Sequence, residues 1–371
     1  MTQKLQIVAF DNPFPPNYGG VIDVFYQIKA LASLGVGIEL HCFTDTRRDF
    51  EVVESICDAV YSYPKTSRFK ALFSKKPIAL ATRESRLLTQ RLSQSDAPVL
   101  LQGLQSAAML VNGLGNSKAV YLRIQNIEQQ YYRGLANAIN NPLKALIYNW
   151  EARKFESFEP CLKSPQTLFT LSHREQHYYS QLNTSVYVPV FHENEIVQQC
   201  SEFGEFALYH GNISVADNLK TACFLIDVFK EVDYPLVIAG SFRQELIQKK
   251  IKNHKHMSFE SIETAEKLDA LLARAHITLN LSFQRSGTKL KVMNALFKSR
   301  HCIVNENVID EPEALAASHI CTSAVTIQEK VRDLRSEPFT EFEKRQKLLD
   351  DIFNNKKNAQ KIKQSIFREE C

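Results

Sequence analysis

The sequence predicts an α/β protein built from two doubly wound, Rossmann-like domains, each a parallel sheet with helices on both faces. Three observations predict this. Short runs rich in apolar and β-branched residues alternate with helical patterns along almost the whole chain. The strand runs are continuously apolar, as in strands buried on both faces, and not alternating as in half-exposed antiparallel sheets. The series pauses once, at 187–205, where Pro189, the polar run His192–Glu195 and Gly204 intervene, and then resumes. A chain of 371 residues suits two domains at about 150 residues each.

In the first half the strands are expected at 5–10, 38–43, 59–63, 99–102, 119–124 and 167–171, with helices at 20–34, 83–92, 127–138 and 143–158 between them. In the second half they fall at 206–210, 236–239, 256–259, 277–281 and 302–305. The intervening helices are expected at 218–231, 243–253, 264–274 and 289–299. The domains are accordingly placed at 1–190 and 191–345. The charged, helical stretch 346–371 either caps the second domain or crosses back to the first. Facing each other, two such domains would set their strand C-termini around one central cleft, where open α/β sheets bind ligands.

Composition narrows the function classes. The chain is 44% hydrophobic and 23% charged, ordinary values for a globular protein. A formal charge of +4 is too small to support nucleic-acid binding unless it is clustered, and no nucleic-acid partner is expected. Cysteines 42, 57, 161, 200, 223, 302, 321 and 371 show no C-x-x-C pair and no zinc-ligand spacing, and His254 with His256 lacks companions, so no metal is expected. The N-terminal LQIVAF is too short for a secretory core, and no run is long enough to span a bilayer. A cytoplasmic protein is the expectation.

Two turns carry candidate chemistry. After the first strand, NPFPPNYGG ends in Gly19–Gly20 at a helix start, where backbone N–H groups can approach a phosphate or sugar without Cβ interference. A tight turn with no ligand is the competing explanation. The dinucleotide pattern G-x-G-x-x-G is absent, so Asp45 makes a poor ribose-binding residue and an NAD enzyme is disfavoured. In SFQRSGTKLKVMNAL, residues Arg285, Ser286, Gly287, Thr288 and Lys289 are expected to open a helix. Its N–H groups, hydroxyls and cations would form an anion site able to hold a diphosphate. An N-cap serine flanked by solvated bases is the alternative. Gly211 and Asn212 form a third, weaker turn of the same kind.

The order NPFPPNYGG, YLRIQNIEQQYYRGLA, YHGNISVADN, LVIAG and SGTKLKVMNAL, spanning nearly the whole chain, resembles the GT-B nucleotide-sugar glycosyltransferases, and among them the retaining, mannosyltransferase-like family 4 type. The resemblance implies a GT-B fold and a nucleotide-sugar donor, GDP- or UDP-linked, held by the second domain. It implies a glycan or lipid-linked acceptor on the first domain, and no cofactor or metal. Residue by residue, it implies donor binding by Gly19, Gly20, Gly211, Asn212, Ser286, Gly287, Thr288 and Asn294. Arg285 and Lys289 would stabilise the leaving diphosphate, and Gln105, Gln125 and Asn126 would lie on the acceptor side. Glu128, two residues after Asn126, is expected either to touch an acceptor hydroxyl there or to be an exposed carboxylate at a helix N-terminus. The departures are specific. Ser286 and Asn294 stand where the family often carries two glutamates, and Gln105 and Gln125 where it often carries histidines. Of the usual Arg and Lys after the GN strand, only Lys220 is near. The implied activity is retaining transfer of a hexose-type sugar in cell-surface polysaccharide synthesis. The alternative is a degenerate scaffold that binds nucleotide sugar or glycan without transfer.

The segment KTSRFKALFSKKP, 65–77, mixes five bases with Phe69, Leu72 and Phe73. It is expected either to touch the inner face of an anionic membrane or to be a solvated basic loop with its apolar residues turned inward.

Overall fold

A computed structural model describes residues 3–139, 141–285 and 287–367. The chain divides into two compact units, residues 1–193 with 353–371, and residues 194–352.

The first unit carries a seven-stranded sheet. Its strands are β1 (Lys4–Ala9), β2 (Gly37–Phe43), β3 (Ala59–Tyr63), β4 (Val99–Gln102), β5 (Val120–Ile124), β6 (Thr167–Thr170) and β7 (Ser185–Tyr187). They pair in the order β3-β2-β1-β4-β5-β6-β7, all parallel. One face packs on the helices Gly19–Ser33 and Asn355–Phe367 through Val24, Ile28, Ala359 and Ile362, and the other on Leu88, Leu92, Phe155 and Phe158. The last helix is therefore part of the first unit; Tyr121 OH donates to Ile366 O at 3.2 Å.

The second unit carries six strands: β8 (Phe206–His210), β9 (Leu236–Gly240), β10 (Met257–Ser261), β11 (Ala275–Asn280), β12 (His301–Val304) and β13 (His319–Ile320). The order is β10-β9-β8-β11-β12-β13, again all parallel. Helix Phe342–Ile352 belongs here, where Arg345 Nη1 donates to Ser299 O at 2.8 Å.

The α/β class with two parallel sheets is as the sequence predicts. Two edge strands, β7 and β13, went unseen. They are three and two residues long and are not fully buried, so they lack the apolar run that announces a strand. Most boundaries shift by a residue or two, and three of the shifts have local reasons. The helix expected from 83 begins at Arg86, because Ser85 caps it by accepting from Leu88 N at 3.3 Å. His254 and His256 precede β10, and the His256 ring sits 3.0 Å from Phe229 O. The helix expected to open at 285–289 begins only at Leu290. Gly287 takes a left-handed φ of 51° and Lys289 is extended, so the chain turns before it coils.

Candidate functional site

Where the strand order of a parallel sheet reverses, neighbouring connections leave on opposite faces and open a crevice at the strands' C-terminal ends. Each sheet reverses once, between β1 and β4 and between β8 and β11. The described site residues predicted from sequence all lie beyond the ends of β1, β4, β5, β8 or β11.

In the first unit the structure brings most of its candidates together. Gly19 and Gly20 form the first turn of helix Gly19–Ser33. A Cβ on Gly20 would stand 2.8 Å from Phe10 Cζ and 3.3 Å from Gln125 Oε1, so glycine is needed to let the helix start approach the end of β1. Beyond Phe10, Gln105 Nε2 donates to Glu128 Oε1 at 3.2 Å, while Gln105 Oε1 is buried without a hydrogen-bond partner. Glu128 is only 3% exposed, and burial pushes its carboxyl up to about 7, against a smaller opposing bond from the Asn126 side chain. An ionisable group balanced near neutrality beside an unused buried acceptor is suited to gripping a substrate hydroxyl.

Arg83, absent from the sequence-derived set, supports this crevice. Its Nε donates to Phe10 O at 2.7 Å, and its side chain lines a cavity of about 380 Å³ with Arg86, Thr89, Met109 and Asn112. Arg83 was hidden in an expected helix; only the observed turn frees it for Phe10.

In the second unit, Gly211 follows β8 directly, and the Asn218 carboxamide fills the space where its Cβ would point, at 3.2 Å. The Asn212 side chain folds onto its own turn, accepting from Ser214 N at 2.9 Å. Asn294 lies in helix Leu290–Lys298, and its Oδ1 accepts from Asn194 Nδ2 at 3.0 Å. Arg285 is exposed, and Gly287 and Thr288 are half-buried. Ser286 lies outside the described residues. One expectation is corrected here. Residues 287–289 do not offer a row of helix N-terminal amides, because the helix has not begun and Lys289 N donates to Val308 O at 2.9 Å. The side chain of Lys289, not its amide, remains the candidate.

Three residues missed in the sequence organise this crevice. Asp217 accepts from Ser282 Oγ at 2.6 Å and from the amides of Phe283 and Gln284 at 2.9 and 3.1 Å, holding the loop that leaves β11. Lys291 donates to Leu281 O at 2.8 Å and lies over the Tyr209 ring at 4.9 Å. Burial draws its ammonium down to about 7. His210, the last residue of β8, has a buried, unpartnered Nε2, and burial lowers it to about 3. Asp217 and Lys291 each lie inside polar helical sequence, where no spacing distinguishes them from solvated surface. Among the described residues, no three His, Cys, Asp or Glu side chains gather as a metal-ligand set.

No family model matches the sequence. A Klebsiella pneumoniae protein described as an uncharacterized 44.6 kDa protein in the cps region is 25% identical over 403 aligned residues, covering 99% of both chains. Several solved structures match over nearly their full length. Sucrose-phosphate synthase from Thermosynechococcus elongatus has a TM-score of 0.71 at 13% identity, covering 99% of this chain and 98% of its own. Anabaena HepE, solved with UDP and glucose, has a TM-score of 0.65 at 11% identity, covering 99% and 100%. The lipopolysaccharide outer core galactosyltransferase WaaB has a TM-score of 0.61 at 10% identity, covering 99% of each. Two all-parallel α/β sheets and these full-length likenesses show that the chain has the GT-B fold.

Proposed function

We propose that the chain is a nucleotide-sugar glycosyltransferase that moves a hexose-type sugar, with retention, to a glycan or lipid-linked acceptor in cell-surface polysaccharide synthesis. The observation that carries the reading is the GT-B fold along the whole chain, with a polar group built into the reversal point of each sheet. Two neighbours add support: HepE binds UDP and glucose, and WaaB is a galactosyltransferase. A relative from a cps region supports a capsule or similar polysaccharide as the product.

In this reading the second unit holds a UDP- or GDP-linked donor. Lys289, Arg285 and Lys291 stabilise the leaving diphosphate without a metal, since charge that develops on the leaving group is best met by fixed cations. The first unit orders the acceptor hydroxyl between Glu128 and the unpartnered Gln105 Oε1. The proposed location is the cytoplasm.

The first test is a thermal-shift screen against UDP, GDP and their sugars. A ligand at about 100 times its Kd adds roughly 2.7 kcal/mol. A selective response names the donor, and no response to any nucleotide argues against the reading. Lys289→Ala is expected to weaken that ligand about 10-fold with the melting temperature of the free protein unchanged. Lys291 has a sharper signature. A nucleotide sugar keeps its diphosphate charge across neutral pH, so affinity should fall as pH rises through 7 and the ammonium is lost. In Lys291→Met that pH dependence should vanish; a slope equal to wild type removes Lys291 from the anion site.

A second reading, a scaffold that binds donor without transfer, is favoured by the neutral amides at Gln105 and Gln125 and by the pairing of Asn294 with Asn194. Saturable nucleotide binding with neither hydrolysis nor transfer across an acceptor screen would establish it.

A further inference from the structure

We infer that the first unit carries a docking face for an anionic lipid surface, formed jointly by residues 68–75 and the exposed half of helix Pro142–Phe158. The inference is independent of the transferase reading and is read without turnover.

Leu143, Leu146, Ile147 and Trp150 follow the i, i+3, i+4, i+7 spacing that ordinarily marks a buried helical stripe. Here the stripe is uncovered: Leu143 is 72% exposed, Leu146 68%, Ile147 42% and Trp150 43%. The short helix Arg68–Leu72 lies alongside. Lys154 Nζ approaches Leu72 O at 3.5 Å and the Trp150 ring at 3.6 Å, while Ile78 N donates to Glu151 Oε2 at 2.7 Å. Phe69 and Phe73 do not turn inward. They are 70% and 79% exposed and meet edge to face at 5.7 Å. Six large apolar side chains on two adjoining segments make an uncovered patch of the kind that marks an interaction site.

Charge selects the occupant. Arg68, Lys70 and Lys75 on the first segment and Lys144 and Arg153 on the helix are exposed. The acids alongside are engaged, Glu151 with Lys154 and Glu84 with Lys76. A second copy docking by two-fold symmetry would set these five cations against the same five, an arrangement that disfavours association. An anionic bilayer surface answers both features, taking the aromatic and aliphatic tips into its interface and the cations onto its headgroups.

Trp150 is the only tryptophan in the chain, so its emission reports on the patch directly. Vesicles of phosphatidylcholine with phosphatidylglycerol should bind the full chain and shift Trp150 emission to the blue, and high salt should reverse both. Phosphatidylcholine alone should do neither. The triple variant Arg68→Ala, Lys70→Ala, Lys75→Ala should lose on the order of 100-fold in partitioning. The double variant Phe73→Ser, Leu146→Ser should lose the blue shift; both variants change exposed side chains only. Trp150 emission indifferent to anionic vesicles overturns the inference. So does equal, salt-independent binding to phosphatidylcholine alone, or a dimer in sedimentation that Leu146→Ser dissolves. None of these outcomes bears on donor binding, which the nucleotide screen reads separately.

Discussion

Glu128→Gln is expected to lower kcat/KM for the acceptor by about 100-fold or more, the lower end of what a positioned carboxyl contributes when it exchanges a proton with a reacting hydroxyl. Donor affinity should not change, because the nucleotide is assigned to the other unit. The same substitution has a second signature that activity alone would not give. The folded carboxyl titrates near 7 because of burial, whereas in the unfolded chain it titrates near 4.5. Between those values the unfolded state has released a proton that the folded state retains, so stability falls as pH rises from 4.5 to 7 and stays reduced above. That gap amounts to about 3 kcal/mol. Glutamine is neutral throughout, so the variant should match wild type at pH 4 and exceed it at pH 8. Urea titrations followed by Trp150 emission check this, since Trp150 lies in the same unit as Glu128. An active, pH-sensitive Glu128→Gln protein would remove Glu128 from the site.

Arg123→Met should be the most damaging single change to the first unit. Arg123 Nε and Nη2 hold Asp23 Oδ2 and Oδ1 at 2.7 and 2.8 Å, with the side chains 0% and 2% exposed. Arg123 also donates to Val188 O and Pro189 O at 3.1 and 2.8 Å, and Asp23 Oδ1 accepts from Phe191 N at 2.8 Å. The pair thereby fixes the strap 188–191 against the helix that begins at Gly19. Removing the cation leaves a buried carboxylate without its counter-charge, at a cost of about 3–5 kcal/mol. For a unit of this size the Trp150 transition should fall by about 10 °C. Replacing both partners, as in Asp23→Leu with Arg123→Met, should recover part of that loss, because no lone charge remains. A single variant as stable as wild type would show that the pair contributes little.

The two cases show why some of the site was legible in the sequence and some was not. Gly19 and Gly20 could be proposed because they open a helix after an apolar run that ends a strand, and strand ends are where such sheets bind ligands; Gln105 and Gln125 were proposed only because the resemblance aligns them with family positions. Arg123 lies inside such a run, in YLRIQ, and Asp23 inside an amphipathic helix a hundred residues earlier; nothing in either local pattern pairs them. Lys291 and Asp217 were passed over for the opposite reason, since charged residues in a polar helical turn read as solvated until burial and partners are known. The turn expected at 285–289 as an anion site differs in conformation from the helix start that the sequence suggests. A positive φ at Gly287 is something glycine permits and does not announce.

The sequence by itself determined the α/β class, the alternation of strands and helices and the turns that end them. Hydrophobic periodicity and turn chemistry are local, and each segment states them within a few residues. The tertiary structure alone decided which turns meet at the strand-order reversals, which charges are buried and so shifted, and that Leu143, Leu146, Ile147 and Trp150 face outward although their spacing is that of a core. Those depend on contacts between residues far apart in the chain, and burial, the source of every shifted pKa in the site, exists only once those contacts have formed.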